Sequence, residues 1–214
     1  MSISPVRFGA DTRIRLDEIR APMSAYAKTA IAAAVGVALG LAATYFATLG
    51  DFPFGAARTG AWTVWPKAGA FDADPYTRAI VARKADSPLG NGEGLVFVAR
   101  EDSDGAALDG ACEYRVEGAM PVARMWTLSA YTPDGRLLRS DDGHGSASSA
   151  GVVRMAGGDA EIVVSPGARP GNWISVAPGR PFALALTLYD AAASPTITSL
   201  EGLAMPKIRK VACS

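Results

Sequence analysis

The chain has 214 residues and a mass of 22.1 kDa, and its 21 basic and 21 acidic side chains give a formal net charge of zero. This length accommodates one ordinary domain with residues to spare. The charge balance argues against a strongly basic nucleic-acid-binding protein, so no nucleic-acid partner is expected. The apolar fraction of 49% is slightly high for a soluble domain, and the excess is concentrated in one segment.

That segment, residues 29–50, predicts a single transmembrane helix. It contains 16 apolar residues out of 22 and no charged residue. At ~1.5 Å per residue, a helix of this length spans roughly 33 Å, which matches the hydrocarbon core of a bilayer. Tyr45 and Phe46 lie near its end, where aromatic side chains favour the headgroup region.

The flanking charges predict the orientation of this helix. The basic residues before it are Arg7, Arg13, Arg15, Arg20 and Lys28, whereas those that follow closely are Arg58 and Lys67. The more positively charged segment beside a transmembrane helix usually stays in the cytoplasm. Residues 1–28 are therefore predicted to be a cytoplasmic tail, and the C-terminal domain to be periplasmic on a bacterial inner membrane. The alternatives are a cleaved signal peptide, although the apolar run exceeds the roughly 7–15 residues usual there, and a start at Met23.

The remaining chain predicts a connector over residues 51–70 and a folded domain over residues 71–214. Asp74 and Pro75 stand where a helix N-cap and first position are expected, which predicts one short helix over residues 72–86. After it the apolar period changes to two. Strands are predicted at residues 95–100, 111–117, 124–132, 136–140, 151–155, 160–165, 173–176 and 182–189. The predicted fold class is mainly β, an antiparallel β-sandwich of jelly-roll type.

The chain has two cysteines, Cys112 and Cys213. In an exported domain such a pair predicts one disulfide. In the chain-entropy model, closing a loop of about 100 residues stabilises the domain by up to roughly 4–5 kcal/mol. Two unrelated thiols are the alternative.

Several segments resemble the domain of unknown function 1214 family. They are DADPYTRA (72–79), LDGACEY (108–114), RMWTLSAY (124–131), GNWI (171–174), LTLYD (186–190) and MPKI (205–208). The resemblance covers residues 60–214, is greatest to short membrane-anchored bacterial members, and implies a jelly-roll-type β-sandwich. It implies no catalytic residues. The chain departs from the family at Thr187, at Leu203 and in the stretch SDDGHGSASS (140–149).

Candidate binding residues are an arginine, two indoles, an amide and the single histidine. Arg124, Trp126, Asn172 and Trp173 could line a sugar or aromatic site on the sandwich face, although core packing, with Arg124 in a structural ion pair, is the preferred interpretation. His144 lies in a polar loop and is the only histidine, which excludes a two-histidine metal site. No catalytic residue, metal or cofactor is predicted.

Two function classes remain open. The first is a non-enzymatic, membrane-anchored envelope module, binding or structural, whose partner is an envelope protein or glycan. The second is a periplasmic enzyme that acts on a small molecule or glycan through Asp141, Asp142 or Glu113. Two carboxylates converging about 5–10 Å apart beside a cleft would favour the enzyme.

Overall fold

The structure is a computed structural model that describes residues 24–48, 55–84, 88–90, 92–139, 143–191 and 203–213. It divides into two compact units, residues 1–46 and residues 47–214. The basic residues of the tail that precede Ser24, and the start at Met23, lie outside the described residues.

The described part of the N-terminal unit is one helix, α1 (Ala25–Ala47), which begins four residues before the predicted start. The Ser24 hydroxyl accepts a backbone hydrogen bond at its first turn and caps it. The hydroxyls of Thr29 and Thr44 donate to carbonyls four residues earlier, so both are satisfied within the helix. By length and composition α1 is able to cross a membrane, a test that an N-terminal signal sequence also passes.

Among its described residues, the C-terminal unit contains ten strands in two sheets. In chain order they are β1 (Ala57–Thr59), β2 (Trp62–Val64), β3 (Gly94–Ala99), β4 (Cys112–Glu117), β5 (Ala123–Tyr131), β6 (Ser146–Ser148), β7 (Ile162–Ser165), β8 (Asn172–Ser175), β9 (Ala183–Ala191) and β10 (Lys207–Cys213). The larger sheet has the order β1-β2-β3-β9-β5-β6 and antiparallel pairing. The smaller has the order β10-β4-β7-β8, and β7 and β8 are parallel.

The hydrophobic core lies between these sheets. Leu184, Leu186 and Leu188 of β9 are buried, as their period-two spacing predicts. They belong to the same buried cluster as Ile162 and Val164 of the smaller sheet. The predicted mainly-β, sandwich-like architecture is therefore confirmed, whereas its jelly-roll connectivity stays a prediction.

Two predicted strands are wrong. Of the first, residues 136–140, the described part forms a single bridge, Tyr131 to Leu137, after a turn at Pro133, Asp134 and Gly135, whose residue types favour a turn. The second, residues 151–155, is a loop that turns back through the hydrogen bond from Met155 N to Asp159 O. The alternating apolar pattern of residues 151–155 predicted a strand wrongly, because Val153 and Met155 face solvent and pack against no core.

The predicted connector is more structured than expected, because β1 and β2 extend the larger sheet. Trp62 of β2 is buried, and its indole N–H donates to the carbonyl of Pro206 at 2.7 Å. This bond ties the larger sheet to the segment that leads into β10.

The one helix of the C-terminal unit among the described residues, α2 (Pro75–Lys84), begins where predicted. Asp74 accepts hydrogen bonds from the backbone N–H groups of Tyr76 and Thr77, as an N-cap does. The Thr77 hydroxyl also donates to this carboxylate, and these bonds lower the pKa of Asp74.

The two cysteines lie opposite each other on adjacent antiparallel strands, Cys112 on β4 and Cys213 on β10. Their sulfur atoms are at disulfide-bonding distance, as the sequence predicts. The pair joins the last residues of β10 to a strand in the interior of the smaller sheet.

Candidate functional site

A pocket of about 570 Å³ opens where β5 begins. One wall consists of residues 119–126, which are the end of the β4–β5 connection and the first four residues of β5. The other wall consists of residues 149–150, 154 and 158–160, which follow β6. The volume lies within the roughly 300–1,000 Å³ of small-molecule sites. We call it the β5 pocket.

Four exposed apolar side chains lie in the lining of the β5 pocket or next to a lining residue in the chain. Val122 and Met125 line the pocket, and Val153 and Met155 flank the lining residue Arg154. Their exposed fractions are 85% for Val122, 40% for Met125, 70% for Val153 and 56% for Met155. Such concentrations of exposed apolar groups are typical of binding surfaces. We call these four residues the apolar rim.

Two arginines contribute positive charge to the same pocket. Arg124 lies on β5, two residues before the buried Trp126, and its guanidinium is 3.8 Å from the carboxylate of Asp190 on β9. Asp190 has a backbone φ of +49°, a conformation that aspartate tolerates better than most residues. Arg154 donates hydrogen bonds to the carbonyls of Gly158 at 3.0 Å and Ser149 at 3.3 Å, which hold its guanidinium against the pocket wall.

Hydrogen bonds fix the loop after β6 to both sheets. Ser149 exchanges hydrogen bonds with the backbone of Trp126, through its hydroxyl at 3.2 Å and its N–H at 2.9 Å. The side-chain amide of Asn172 accepts from Val153 N at 2.7 Å and donates to Val153 O at 2.8 Å and Glu161 O at 2.9 Å. Asn172 thus imitates a strand partner for the residue next to Arg154.

The structure separates the five predicted binding residues into three groups. Arg124 and Trp126 line the β5 pocket. Asn172 does not line the pocket but holds the loop that contains Arg154 through its hydrogen bonds to Val153. His144 and Trp173 are not among the lining residues. Their rings contact each other with centroids 5.0 Å apart, and the Trp173 indole donates to the Ser165 carbonyl and hydroxyl, each at 3.1 Å.

Sequence reasoning missed Arg154 and the apolar rim. The alternation over residues 151–155 predicts a strand, whereas Arg154 lies in a loop and Val153 and Met155 are exposed. A usable signal is present, because Gly157 and Gly158 follow that segment after one residue and favour a loop.

The acidic residues of the enzyme alternative do not gather in this pocket among the residues described. Glu113 is bound to Arg169 at 2.6 Å, and Asp141 and Asp142 lie outside the described residues. Asp159 is the carboxylate that lines the β5 pocket in the described part. Within the same part, no group of three or more His, Cys, Asp or Glu side chains is placed to hold a metal ion.

The comparisons with known proteins identify the domain that contains this pocket. Residues 93–193 match the model of the family described as "Protein of unknown function (DUF1214)". Residues 93–193, just under half of the chain, are therefore similar to this family. The match confirms the resemblance seen in the sequence, and it spans β3 to β9 and the whole β5 pocket.

Two solved structures are similar to this chain over about two thirds of its length, and the first of them, with a TM-score above 0.5, shares the fold. The crystal structure of the VPA0106 protein from Vibrio parahaemolyticus has a TM-score of 0.54 and 26% identity over 66% of this chain and 36% of its own. A structure of an uncharacterised protein from Burkholderia cenocepacia has a TM-score of 0.43 and 20% identity over 69% of this chain and 46% of its own. The chain thus spans about a third to a half of their lengths. The search of curated proteins found no match.

Proposed function

We propose that this chain is a single-pass envelope protein of the bacterial inner membrane whose periplasmic DUF1214 domain holds a small amphiphilic molecule in the β5 pocket. The apolar helix α1 and the basic residues before it support the anchor and its orientation. The cysteine pair at bonding distance supports an oxidising compartment.

The observation that carries the binding role is the apolar rim of an arginine-lined pocket. Burying a side chain such as Val or Met contributes roughly 1.5–3 kcal/mol, and the rim forgoes much of this contribution while it faces water. A ligand with an apolar part recovers it by covering Val122, Met125 and their neighbours.

The enzyme alternative gains no specific support from this pocket. Acid–base hydrolysis of a glycosidic bond needs two carboxylates across one cleft. The described lining contributes Asp159, an exposed residue of the loop, together with two arginines. A binding module that recognises an envelope component is the class that these groups favour.

The binding role is tested by labelling the full chain, in nanodiscs, with decanol that carries a photoreactive diazirine. Peptides that cover residues 119–126 and 149–160 are quantified by mass spectrometry relative to peptides of α1, which the lipid-phase probe also labels. We expect the pocket peptides to be labelled saturably and to be protected by excess unmodified decanol.

A pocket-filling variant sharpens this test. Ala150→Trp places a large side chain in the pocket lining, whereas Ala168→Trp places it on an exposed loop outside that lining. Labelling of the pocket peptides should fall at least fivefold in Ala150→Trp and stay unchanged in Ala168→Trp. Equal labelling of all three proteins, or labelling of α1 only, would contradict the proposal.

The proposed topology has its own test. A reporter enzyme that is active only outside the cytoplasm is fused after Ser214 in the full chain. We expect an active fusion, and mass spectrometry of the membrane fraction should find the peptides that precede α1 still attached. A silent fusion would reverse the orientation, and loss of the N-terminal peptides would establish a cleaved signal peptide instead.

A further inference from the structure

We infer that the β5 pocket selects a ligand with a single negative charge, a free single-chain amphiphile that ends in a carboxylate, and that Arg124 and Arg154 bind this head group. The inference rests on the proposed function and deepens it, because the apolar rim by itself explains only the tail. Four observations lead from the pocket to the charge of its ligand.

Arg124 has donors to spare. It is paired with Asp190 at 3.8 Å, which is longer than a hydrogen bond, and both side chains are mostly exposed. An exposed pair of this kind contributes little, and a guanidinium carries five N–H donors in a planar fork that matches a carboxylate. A carboxylate at the pocket mouth could therefore bind Arg124 without displacing a strong partner.

Arg154 is held in place but not neutralised. Its two bonds go to backbone carbonyls, which orient the guanidinium and leave its formal charge uncompensated. Among the described residues, no carboxylate is recorded within 4.0 Å of it. The amide of Asn172 fixes the neighbouring Val153, so the charge is preorganised before a ligand arrives.

The balance of charge in the lining favours a monoanion over a dianion. The charged lining residues are the two arginines and Asp159, and Asp190 pairs with Arg124 from outside the lining, so the two positive charges are matched by two negative charges in and beside the lining. A second negative charge on the ligand would therefore meet no further cationic group in the lining, and Asp159 would repel it.

The two arginines of the lining lie in a domain of opposite net charge. Residues 51–214 carry 16 basic and 18 acidic side chains, a formal net charge of −2. The guanidinium groups at the pocket are therefore not a consequence of the overall charge of the domain. An apolar rim beside such groups matches the two ends of a fatty-acid-like molecule.

The test compares three competitors with one tail and different heads: decanoate, decanol and decyltrimethylammonium. Each competes with the photoreactive decanol on the full chain in nanodiscs of zwitterionic lipid, below its micelle-forming concentration. We expect decanoate to displace the label from the pocket peptides at about tenfold lower concentration than decanol, as one or two charge-assisted hydrogen bonds predict. Decyltrimethylammonium should be the weakest competitor.

Arginine variants assign the preference to its residues. Arg124→Gln and Arg154→Gln should each lower the decanoate-to-decanol ratio at least threefold while decanol itself still competes. Arg136→Gln is the matched control, because Arg136 is as exposed as Arg124, with side-chain exposures of 85% and 83%, and pairs with Asp134 outside the pocket lining. That variant should keep the full ratio.

The outcomes separate the inference from the proposed function. Decanol and decanoate competing equally in the wild type would overturn the anion preference and leave the amphiphile pocket standing. A failure of all three to compete would overturn both. Labelling that only vesicles of anionic lipid suppress, with no effect of free decanoate, would show that the surface meets a membrane, and this too would overturn the inference.

Discussion

The interior of the sandwich and the apolar rim contain the same kinds of side chain in opposite surroundings. Leu184 and Leu186 lie fully buried between the sheets, whereas Val122 and Val153 of the apolar rim lie mostly exposed. Polar groups differ in the same way: Trp62 and Asn172 have backbone partners, but Arg154 keeps an uncompensated charge among the described residues. The interior side chains thus stabilise the fold, whereas the apolar surface of the rim is still available for contact with a ligand.

This contrast separates residues that maintain the fold from residues that are free to recognise a ligand. A side chain that already contacts the core gains nothing further from a ligand, because its apolar surface has left water. The exposed rim has not yet made that gain. Substitutions in the two regions should therefore affect different measurements.

The largest contrast is expected between one core leucine and one rim methionine. Leu186→Ala removes a fully buried side chain from the central strand β9 and should lower the free energy of unfolding by roughly 3–5 kcal/mol. Met155→Ala should change it by less than about 0.5 kcal/mol, because that side chain is exposed. Urea unfolding of the full chain in nanodiscs measures both, and a rim effect as large as the core effect would refute the contrast.

The cysteine pair should give the next largest effect on the free energy of unfolding, and it stabilises the sandwich and not the rim. Cys112→Ser with Cys213→Ser should lower the free energy of unfolding by roughly 2–4 kcal/mol, since the pair closes a loop of 101 residues. Relative to the wild type, hydrogen exchange in this variant should accelerate more at the amides of β10 than at those of β9. Alkylation before and after reduction gives the control: two freely alkylated thiols in protein taken from the periplasm would contradict the disulfide.

A smaller, pH-dependent effect is expected at Tyr114. Burial raises the pKa of this phenol, although the N–H of Asp109 donates to its oxygen at 3.0 Å and opposes the shift. The folded state therefore keeps a proton that the unfolded state loses first. The resulting loss of stability should begin as the pH rises above the unfolded value of about 10.

Tyr114→Phe tests this assignment. The variant should cost roughly 1–2 kcal/mol at about pH 8, where Asp109 N–H loses its acceptor, and should lose less additional stability than the wild type at about pH 10.5. Tyr76→Phe removes an exposed phenol and is the control. An unchanged alkaline loss in Tyr114→Phe would assign it to other groups.

A small effect on global stability is expected at Asn172, whose side chain bonds strand β8 to the loop that contains Val153. Asn172→Leu should speed hydrogen exchange at the Val153 amide about five- to tenfold and leave exchange at Leu186 unchanged, because the three hydrogen bonds that are lost all go to the backbone of Val153 and Glu161. Asn172→Asp keeps an acceptor for Val153 and should give an intermediate rate. Equal acceleration at both amides would mean that the loop and the core open together.

The interior was more predictable from the sequence than the site. Alternating leucines of β9, the Asp74 cap and the Pro-Asp-Gly turn each depend on local chemistry that a short segment contains. The alternation over residues 151–155 had the same appearance, yet Val153 and Met155 find no opposing layer. Arg124 and Trp126 were recognised as candidates, but Arg154 was not.

By itself, the sequence determined the apolar helix, the mainly-β domain and the cysteine pair, because each depends on composition, period or a count within the chain. Only the tertiary structure decided which apolar residues would be buried and which would stay exposed. Alternation specifies that a strand has two faces, whereas burial requires a second sheet to cover one of them. At the start of β5 the described structure opens instead, and Arg124 and Arg154, which are thirty residues apart in the chain, line the same pocket with the exposed Val122 and Met125.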